Sequence, residues 1–411
     1  MRVVMENITG SAVVAGNYLD TRKFLVDELR KLVLRHSVVV EAPRRFGKTS
    51  VIKEFVRQER EKGDESRFQI LFLELEGVET LDQFCLKLYQ QLITLYDVKR
   101  YGEWLKSVLS SSWNAVASRV PSIGLPEFEL ELRETTRDFD FTTWKERISP
   151  LIAGLNRLGK DVVIVFDEFP DMLNNFAGGA EPLGFVKATD ALTAWLRSIR
   201  QENQDSAPCH FVFCGSINLR KTLEEAGLGK RMNDTETLRV PPMLMNEAQA
   251  LLQALATSYG VLLEPAALDF MVAKTSDGPP YYGQVLIKAV RDSRRSEISL
   301  ELLQGIYNNM LHSGDHDLNH FDSRLNTYIQ SQQELESSRA ILRTLCNDNW
   351  HERELYDVVI ANSHLDYTAY QKVVDRLIYE GYLKRDLDSA GKLSFLSPLL
   401  RDWWACKAGV R

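Results

Sequence analysis

Apolar residues along this chain follow two rhythms, and the changeover falls near residue 240. In the first part, short near-continuous apolar runs recur: Val38-Val39-Val40, 69–75 (QILFLEL), Asp161–Asp167 (DVVIVFD), 210–215 (HFVFCG) and a brief 237–240. Between them the apolar residues take helical spacing. Residues 20–35 repeat Phe24, Leu25, Leu29, Leu32 and Val33, residues 49–62 follow the first strand, and residues 81–96 place Phe84, Leu88 and Leu92 on one face. Residues 144–158 and 189–201 read the same way. Strands apolar on every residue belong to parallel sheets covered on both faces. Their alternation with helices predicts an open, mostly parallel α/β sheet.

After Pro241-Pro242 the pattern turns helical, with 246–310 punctuated by Gly260 and Gly278. Residues 312–320 (HSGDHDLNH) read as a polar linker, its histidines and aspartates solvated rather than gathered on a metal. Further on, 334–347, 351–360 and 366–380 predict three helices. Residues 381–386 and 391–396 predict a hairpin, which completes a winged helix-turn-helix. Trp403 and Trp404 are placed to anchor the tail by burying aromatic area. Residues 104–145, rich in Ser, Pro and Gly before an alternating stretch, read as an insertion with a short hairpin. The expected division is a core over 1–242, a helical lid over 243–320 and a winged helix over 321–411.

Composition narrows the class. The 411 residues allow two or three domains, and with a net charge of −7 no broad basic field stands out, so non-specific nucleic-acid binding is not implied by charge alone and a local basic patch stays open. Five cysteines, Cys85, Cys209, Cys214, Cys346 and Cys406, are scattered without metal-ligand spacing, which fits a reducing cytoplasmic setting. No apolar stretch is long enough for a membrane span, and residues 1–7 show no signal-peptide run.

The chemistry concentrates in Glu41-Ala42-Pro43-Arg44-Arg45-Phe46-Gly47-Lys48-Thr49, between the first strand and the helix that opens at Ser50. This is a phosphate-loop pattern with Ala42 in the place of the first glycine. Gly47 lets the backbone approach a phosphate. The N–H groups from Arg45 to Thr49 would face the β-phosphate at a helix N-terminus. Pro43, Arg44, Arg45, Phe46, Gly47, Lys48, Thr49 and Ser50 are therefore the candidate nucleotide contacts. Lys48 is expected on the β- and γ-phosphates and Thr49 on Mg2+.

A second element supplies carboxylates. The run Asp161–Asp167 ends in Asp167-Glu168 at the carboxyl end of a strand, where ligands of open α/β sheets sit. Asp167 suits Mg2+ through water, and Glu168 suits orientation of an attacking water. Helix capping is the alternative role for this acidic pair. At the end of the 210–215 strand, Ser216 and Asn218 are candidates to sense a γ-phosphate. Arg220, Lys230 and Arg231 follow, and one of them could reach that phosphate in cis or across a subunit interface. A solvated surface cation is the plainer reading of each.

Together these residues resemble the additional-strand P-loop ATPases of the AAA+/STAND superclass, most closely the archaeal-type ATPase group. The likeness spans residues 12–404: the loop 42–50, the acidic strand 164–169, the strand ending Phe213-Cys214-Gly215-Ser216, the lid segment Asp277-Gly278-Pro279-Pro280-Tyr281-Tyr282, and the winged helix. The group's Gly-Arg pair near the start is absent around Ala15-Gly16-Asn17-Tyr18, which bears on adenine contacts. The resemblance implies a sheet ordered 5-1-4-3-2, a helical lid, and nucleotide-controlled assembly or switching. The function expected is a Mg-dependent ATPase switch acting on a protein partner or on its own homo-oligomer. A DNA-binding regulator gated by nucleotide is the alternative, with Tyr367, Thr368, Tyr370, Gln371, Lys372 and Arg376 on the reading helix and Lys384, Arg385 and Lys392 on the wing. Asp366, Asp375, Glu380, Asp386 and Asp388 dilute that charge, so DNA is only weakly supported. A nucleotide-binding scaffold with little turnover is the third reading.

Overall fold

The computed structural model describes residues 17–109, 140–201, 209–215, 218–312, 316–329, 331–360, 365–386 and 391–409. Most of the expected 104–145 insertion, and Ser216, lie outside them. Backbone contacts divide the chain into two compact units: Leu25–Glu41 with Val51–Arg239, and Met1–Phe24 with Ala42–Ser50 and Val240–Arg411. In this partition the phosphate loop groups with residues 240–411.

The first unit is built on five strands, β1 (Val38–Glu41), β2 (Phe68–Glu74), β3 (Asp161–Asp167), β4 (His210–Cys214) and β5 (Glu236–Arg239). All pair in parallel, in the order β2-β3-β4-β1-β5, which is the expected 5-1-4-3-2. Register places Leu73, Phe166, Phe213, Val39 and Thr237 in one row. One residue further, Asp167 and Val40 reach the same edge of the sheet. Phe166 anchors this row. Its buried ring lies 5.5 Å from Phe84 and Phe211, 5.6 Å from Phe169 and 5.7 Å from Phe213.

Helix α1 (Lys23–Leu32) precedes β1, and α2 (Lys48–Glu61), α3 (Leu81–Ile93), α4 (Val98–Leu109), α5 (Phe141–Ala153), α6 (Phe169–Asn175), α7 (Phe185–Gln201) and α8 (Leu219–Glu225) lie between successive strands. Thr80 and Asp140 cap α3 and α5 through backbone amides, each worth about 1 kcal/mol. Two expectations are corrected. Phe24 is 49% exposed, and Leu25, Val26, Leu29 and Val33 form the buried stripe instead. Residues 104–109 are helical rather than irregular, because Leu105 and Leu109 sit one turn apart and are both buried.

In the second unit, α9 (Met245–Ser258), α10 (Pro265–Thr275), α11 (Pro280–Asp292) and α12 (Leu300–His312) form the helical array, with a small parallel pair, β6 (Leu262–Leu263) and β7 (Glu297–Ile298). The polar linker expected at 312–320 is corrected: α12 runs to His312 and α13 (His316–Tyr328) has begun by 316. Leu318, Phe321 and Leu325 are its buried stripe, hidden in sequence among polar neighbours. The winged unit follows as α14 (Gln332–Leu345), β8 (Trp350–His351), α15 (Glu352–Ile360), α16 (Tyr367–Tyr379), β9 (Leu383–Asp386) and β10 (Lys392–Phe395), and α17 (Pro398–Lys407) closes the chain. The wing is a three-stranded antiparallel sheet, β8-β10-β9. Trp403 and Trp404 are buried, and Asp402 between α10 and α12 pairs with Lys274 and accepts from Tyr307 Oη at 3.0 Å. Among the described residues no helix is long and apolar enough to cross a membrane.

Candidate phosphate loop and acidic strand end

The loop leaves β1 at Glu41 and enters α2 at Lys48. Two of its residues, Arg45 (φ 73°) and Gly47 (φ 90°), have left-handed backbone. Successive N–H groups in such alternating conformations make anion-binding concavities, and the first-turn amides of α2 add helix donors. A β-carbon on Gly47 would meet nothing closer than Ser50 Cβ at 3.9 Å, so the glycine is needed for its φ rather than for space. Ala42 is not among the residues with positive φ, so this position does not require the glycine that the usual pattern carries. Lys48 is buried, and its ammonium donates to Ala42 O at 2.6 Å and Pro43 O at 3.0 Å, which closes the loop on itself. Thr49 is half-buried beside it, and Ser50 is buried.

Residues from far along the chain pack on this loop. Arg45 lies over the ring of Tyr281, 4.5 Å from its centroid, at the start of α11. The lid segment that leads there is held by Met243, whose N donates to Gly278 O and whose O accepts from Asp277 N, both at 2.9 Å. A β-carbon on Gly381, between α16 and β9, would lie 3.0 Å from Pro43 Cβ and 3.3 Å from Phe46 Cε2. With φ of +80°, Gly381 is a glycine on both counts.

In the first unit, β3 delivers Asp167, which is 6% exposed and whose carbonyl accepts from Leu75 N. Glu168 follows with φ 57° and ψ 33°, as the N-cap residue of α6 with no side-chain capping bond. A left-handed glutamate costs about 1–2 kcal/mol. Among the described residues four non-glycine residues have positive φ, and three of them, Arg45, Glu168 and Asp277, fall in the loop, the acidic strand end and the lid segment. Such strain concentrates where function requires it. Gly215, after β4, fits under α6: a β-carbon there would be 2.3 Å from Pro170 Cδ.

The remaining candidates have local partners. Asn218 caps α8 by accepting from Lys221 N at 3.0 Å. Arg220 sets its Nε 3.3 Å from Glu41 and donates to Thr235 Oγ1 and Thr237 Oγ1, so it braces the last residue of β1. Arg231 pairs with Asp190 on α7, with Nε at 2.9 Å. Lys230 is exposed. In the winged unit Tyr370 is buried and donates to Glu352 O, while Arg376 pairs with Glu334, Arg385 with Glu352 and Asp375, and Lys384 with Asp277. Thr368, Gln371, Lys372 and Asp375 are the exposed positions of α16.

Sequence reasoning missed Arg22. It is buried, donates to Pro241 O at 2.8 Å and pairs with Glu247, whose carboxylate also accepts from Leu244 N. Burial pushes its guanidinium below the ordinary value, against the pull of Glu247. The available signal was position: Arg22 stands three residues before Leu25, in line with the apolar stripe.

A parallel sheet ordered 5-1-4-3-2, with a phosphate-loop sequence after its first strand and a winged helix at the C-terminal end, is the fold of the AAA+ class of P-loop ATPases. Over 95% of its length the chain superposes on 97% of a Walker-type ATPase of Pyrococcus abyssi, with a TM-score of 0.63 and 12% identity. It also matches the ORC2 protein of Aeropyrum pernix, solved as ADPNP–ADP complexes, over 100% of this chain and 96% of that one, with a TM-score of 0.56 and 15% identity. At these identities the likeness is one of fold. No protein-family model matches the sequence, and no curated protein matches it.

Proposed function

We propose that this protein is a Mg-dependent ATP-binding and hydrolysing switch of the AAA+/STAND type. The observation that carries the reading is the loop itself: a buried Lys48 bonded to the carbonyls of Ala42 and Pro43, left-handed Arg45 and Gly47, and Tyr281 and Gly381 packed against Arg45, Pro43 and Phe46. Pro43, Arg44, Arg45, Phe46, Gly47, Lys48, Thr49 and Ser50 would hold the phosphates. A polyphosphate offers Lys48 a stronger acceptor than two carbonyls do. The Thr49 hydroxyl and the Asp167 carboxylate are the hard oxygen donors that Mg2+ takes, and the ion would neutralise phosphate charge. Glu168 would orient the attacking water. Ser216, Asn218 and Arg231 would respond to the γ-phosphate, and Arg231 would first have to leave Asp190. Nucleotide state would then bear on residues of the lid and the wing, and through them on a protein partner or a second copy.

The deciding experiment measures ATP hydrolysis with and without duplex DNA in the native chain, Lys48→Ala and Glu168→Gln. The expected result is turnover that Glu168→Gln removes while ATP binding persists, with binding lost in Lys48→Ala. Absence of turnover under every condition would favour a scaffold. Salt-sensitive DNA binding that weakens in Lys372→Gln would favour the regulator, although the ion pairs of Arg376, Arg385 and Lys384 work against it.

A further inference from the structure

Strand β2 is the outer strand of the sheet and pairs with β3 alone. Arg67 O accepts from Asp161 N, and Leu75 N donates to Asp167 O, so the odd-numbered residues of this segment turn their backbone groups toward β3. The even-numbered residues, Phe68, Ile70, Phe72 and Glu74, turn theirs outward. Side chains cover this outer row at its two ends. Ser66 Oγ accepts from Phe68 N at 3.1 Å and lies 3.1 Å from Phe68 O, and Lys87 Nζ donates to Glu74 O. Between them, no described residue bonds the outward N–H or C=O of Ile70 or Phe72.

Those four groups open into a groove of about 300 Å3. Glu59 and Arg60 at the end of α2 form one wall, and Gln91, Thr94 and Leu95 at the end of α3 form the other. Ile70 and Phe72 are half-buried here, whereas Leu71 and Leu73 are buried. An open row of backbone groups is a template for an added strand, and three extended residues, about 10 Å long, are enough to reach all four. The charge of the groove selects among such strands. Glu59 is buried and neutralised by Arg30 at 2.8 Å and Lys62 at 2.6 Å. Arg60 is exposed and has no ion pair among the described residues. Lys160, directly before β3, donates to Gly63 O at 3.1 Å and pairs with no carboxylate among the described residues. Asp64 and Glu65 stand exposed on the turn after α2, outside the lining. The unpaired charge of the groove is therefore positive.

We propose that the β2 edge is a docking site for an extended acidic peptide of a partner protein, which joins the sheet as a further strand. Its backbone takes up the outward groups of Ile70 and Phe72. Its carboxylates face Arg60 and Lys160, and its alternate apolar side chains lie against Leu95.

The test is fluorescence anisotropy of a labelled, end-blocked peptide, Glu-Val-Glu-Val-Glu, titrated with the full chain beside Lys-Val-Lys-Val-Lys. Saturable binding of the acidic peptide, weakened by salt, is expected, with far weaker binding of the basic one. Arg60→Glu should lower affinity for the acidic peptide about ten-fold or more. Ile70→Pro should do the same, since it deletes an outward N–H and keeps the ladder to β3, and proline is tolerated on an edge strand. N-methylation of alternate peptide residues should abolish binding in one phase and spare it in the other. Equal binding of the acidic and basic peptides overturns the proposal, as does binding that both N-methylated phases retain, or no binding at all. If Ile70→Pro does not fold, the N-methylated peptides and Arg60→Glu decide on the native edge. Sedimentation of the chain alone closes the test: dimerisation that Ile70→Pro or Arg60→Glu removes would give the edge to a second copy and overturn the peptide reading.

Discussion

Replacing Gly215 with alanine would push a β-carbon to 2.3 Å from Pro170 Cδ, 2.9 Å from Pro170 Cγ and 3.1 Å from Asp171 Oδ2. Ordinary contact begins at 3.4 Å, so the closest pair must separate by 3.4 − 2.3 = 1.1 Å. A pyrrolidine ring cannot fold out of the way, so the first turn of α6 must move relative to β4. Glu168 caps that turn in a left-handed conformation and moves with it. Overpacking of this kind costs about 1–3 kcal/mol of stability. A displacement of about 1 Å at a reacting group costs about a hundred-fold in rate, or about 2.7 kcal/mol of barrier. Phosphate release and ATP binding, measured side by side with urea unfolding, should show turnover falling by about two orders of magnitude with binding retained. Wild-type turnover in a folded Gly215→Ala protein would refute the idea that α6 positions the working carboxylate. An equal loss of binding and turnover would refute the separation of roles between Glu168 and Lys48.

Two further outcomes follow from buried charge. Asp402→Ala leaves the Lys274 ammonium half-buried without its carboxylate and deprives Tyr307 of an acceptor, so urea unfolding should report a loss of about 3–5 kcal/mol. Asp402→Asn should lose less, because an amide oxygen still accepts from Tyr307. Burial, assisted by His36 and opposed by Asp161, holds the His210 imidazole below its ordinary value of 6.5. The unfolded chain therefore takes up this proton first as pH falls. The contribution from neutral His210 is full above pH 6.5 and declines below it, down to the folded value. Denaturation midpoints of His210→Gln followed downward from pH 7 should show a flatter slope than the native chain, and an unchanged slope would refute the assignment.

Much of this fold was legible because burial on both faces leaves a plain signature. The run DVVIVFD could be little other than a central parallel strand, and β3 has the expected limits, Asp161–Asp167. The five-strand order came from resemblance, since periodicity carries no information on which strands are neighbours. Helix α13 was concealed because its three buried residues are diluted by His, Asp and Asn, which favour loops only when nothing packs against them. The loop and the acidic strand end were legible as residue types. Arg22 and Gly381 were not, because each owes its place to a partner hundreds of residues or several elements away. A lone arginine or glycine carries no record of what it will touch.

The fit of Gly381 against Pro43 and Phe46 also sets a clock on synthesis. The turn that packs on the loop leaves the ribosome 381 − 46 = 335 residues after it. At a translation rate of about 5–20 residues per second, the loop waits about 17–67 seconds for that surface. Over that interval a nascent chain carries its phosphate-loop residues without the wall supplied by Gly381. The native surroundings of the loop, and any switching that depends on them, exist only once the turn at Gly381 has been made.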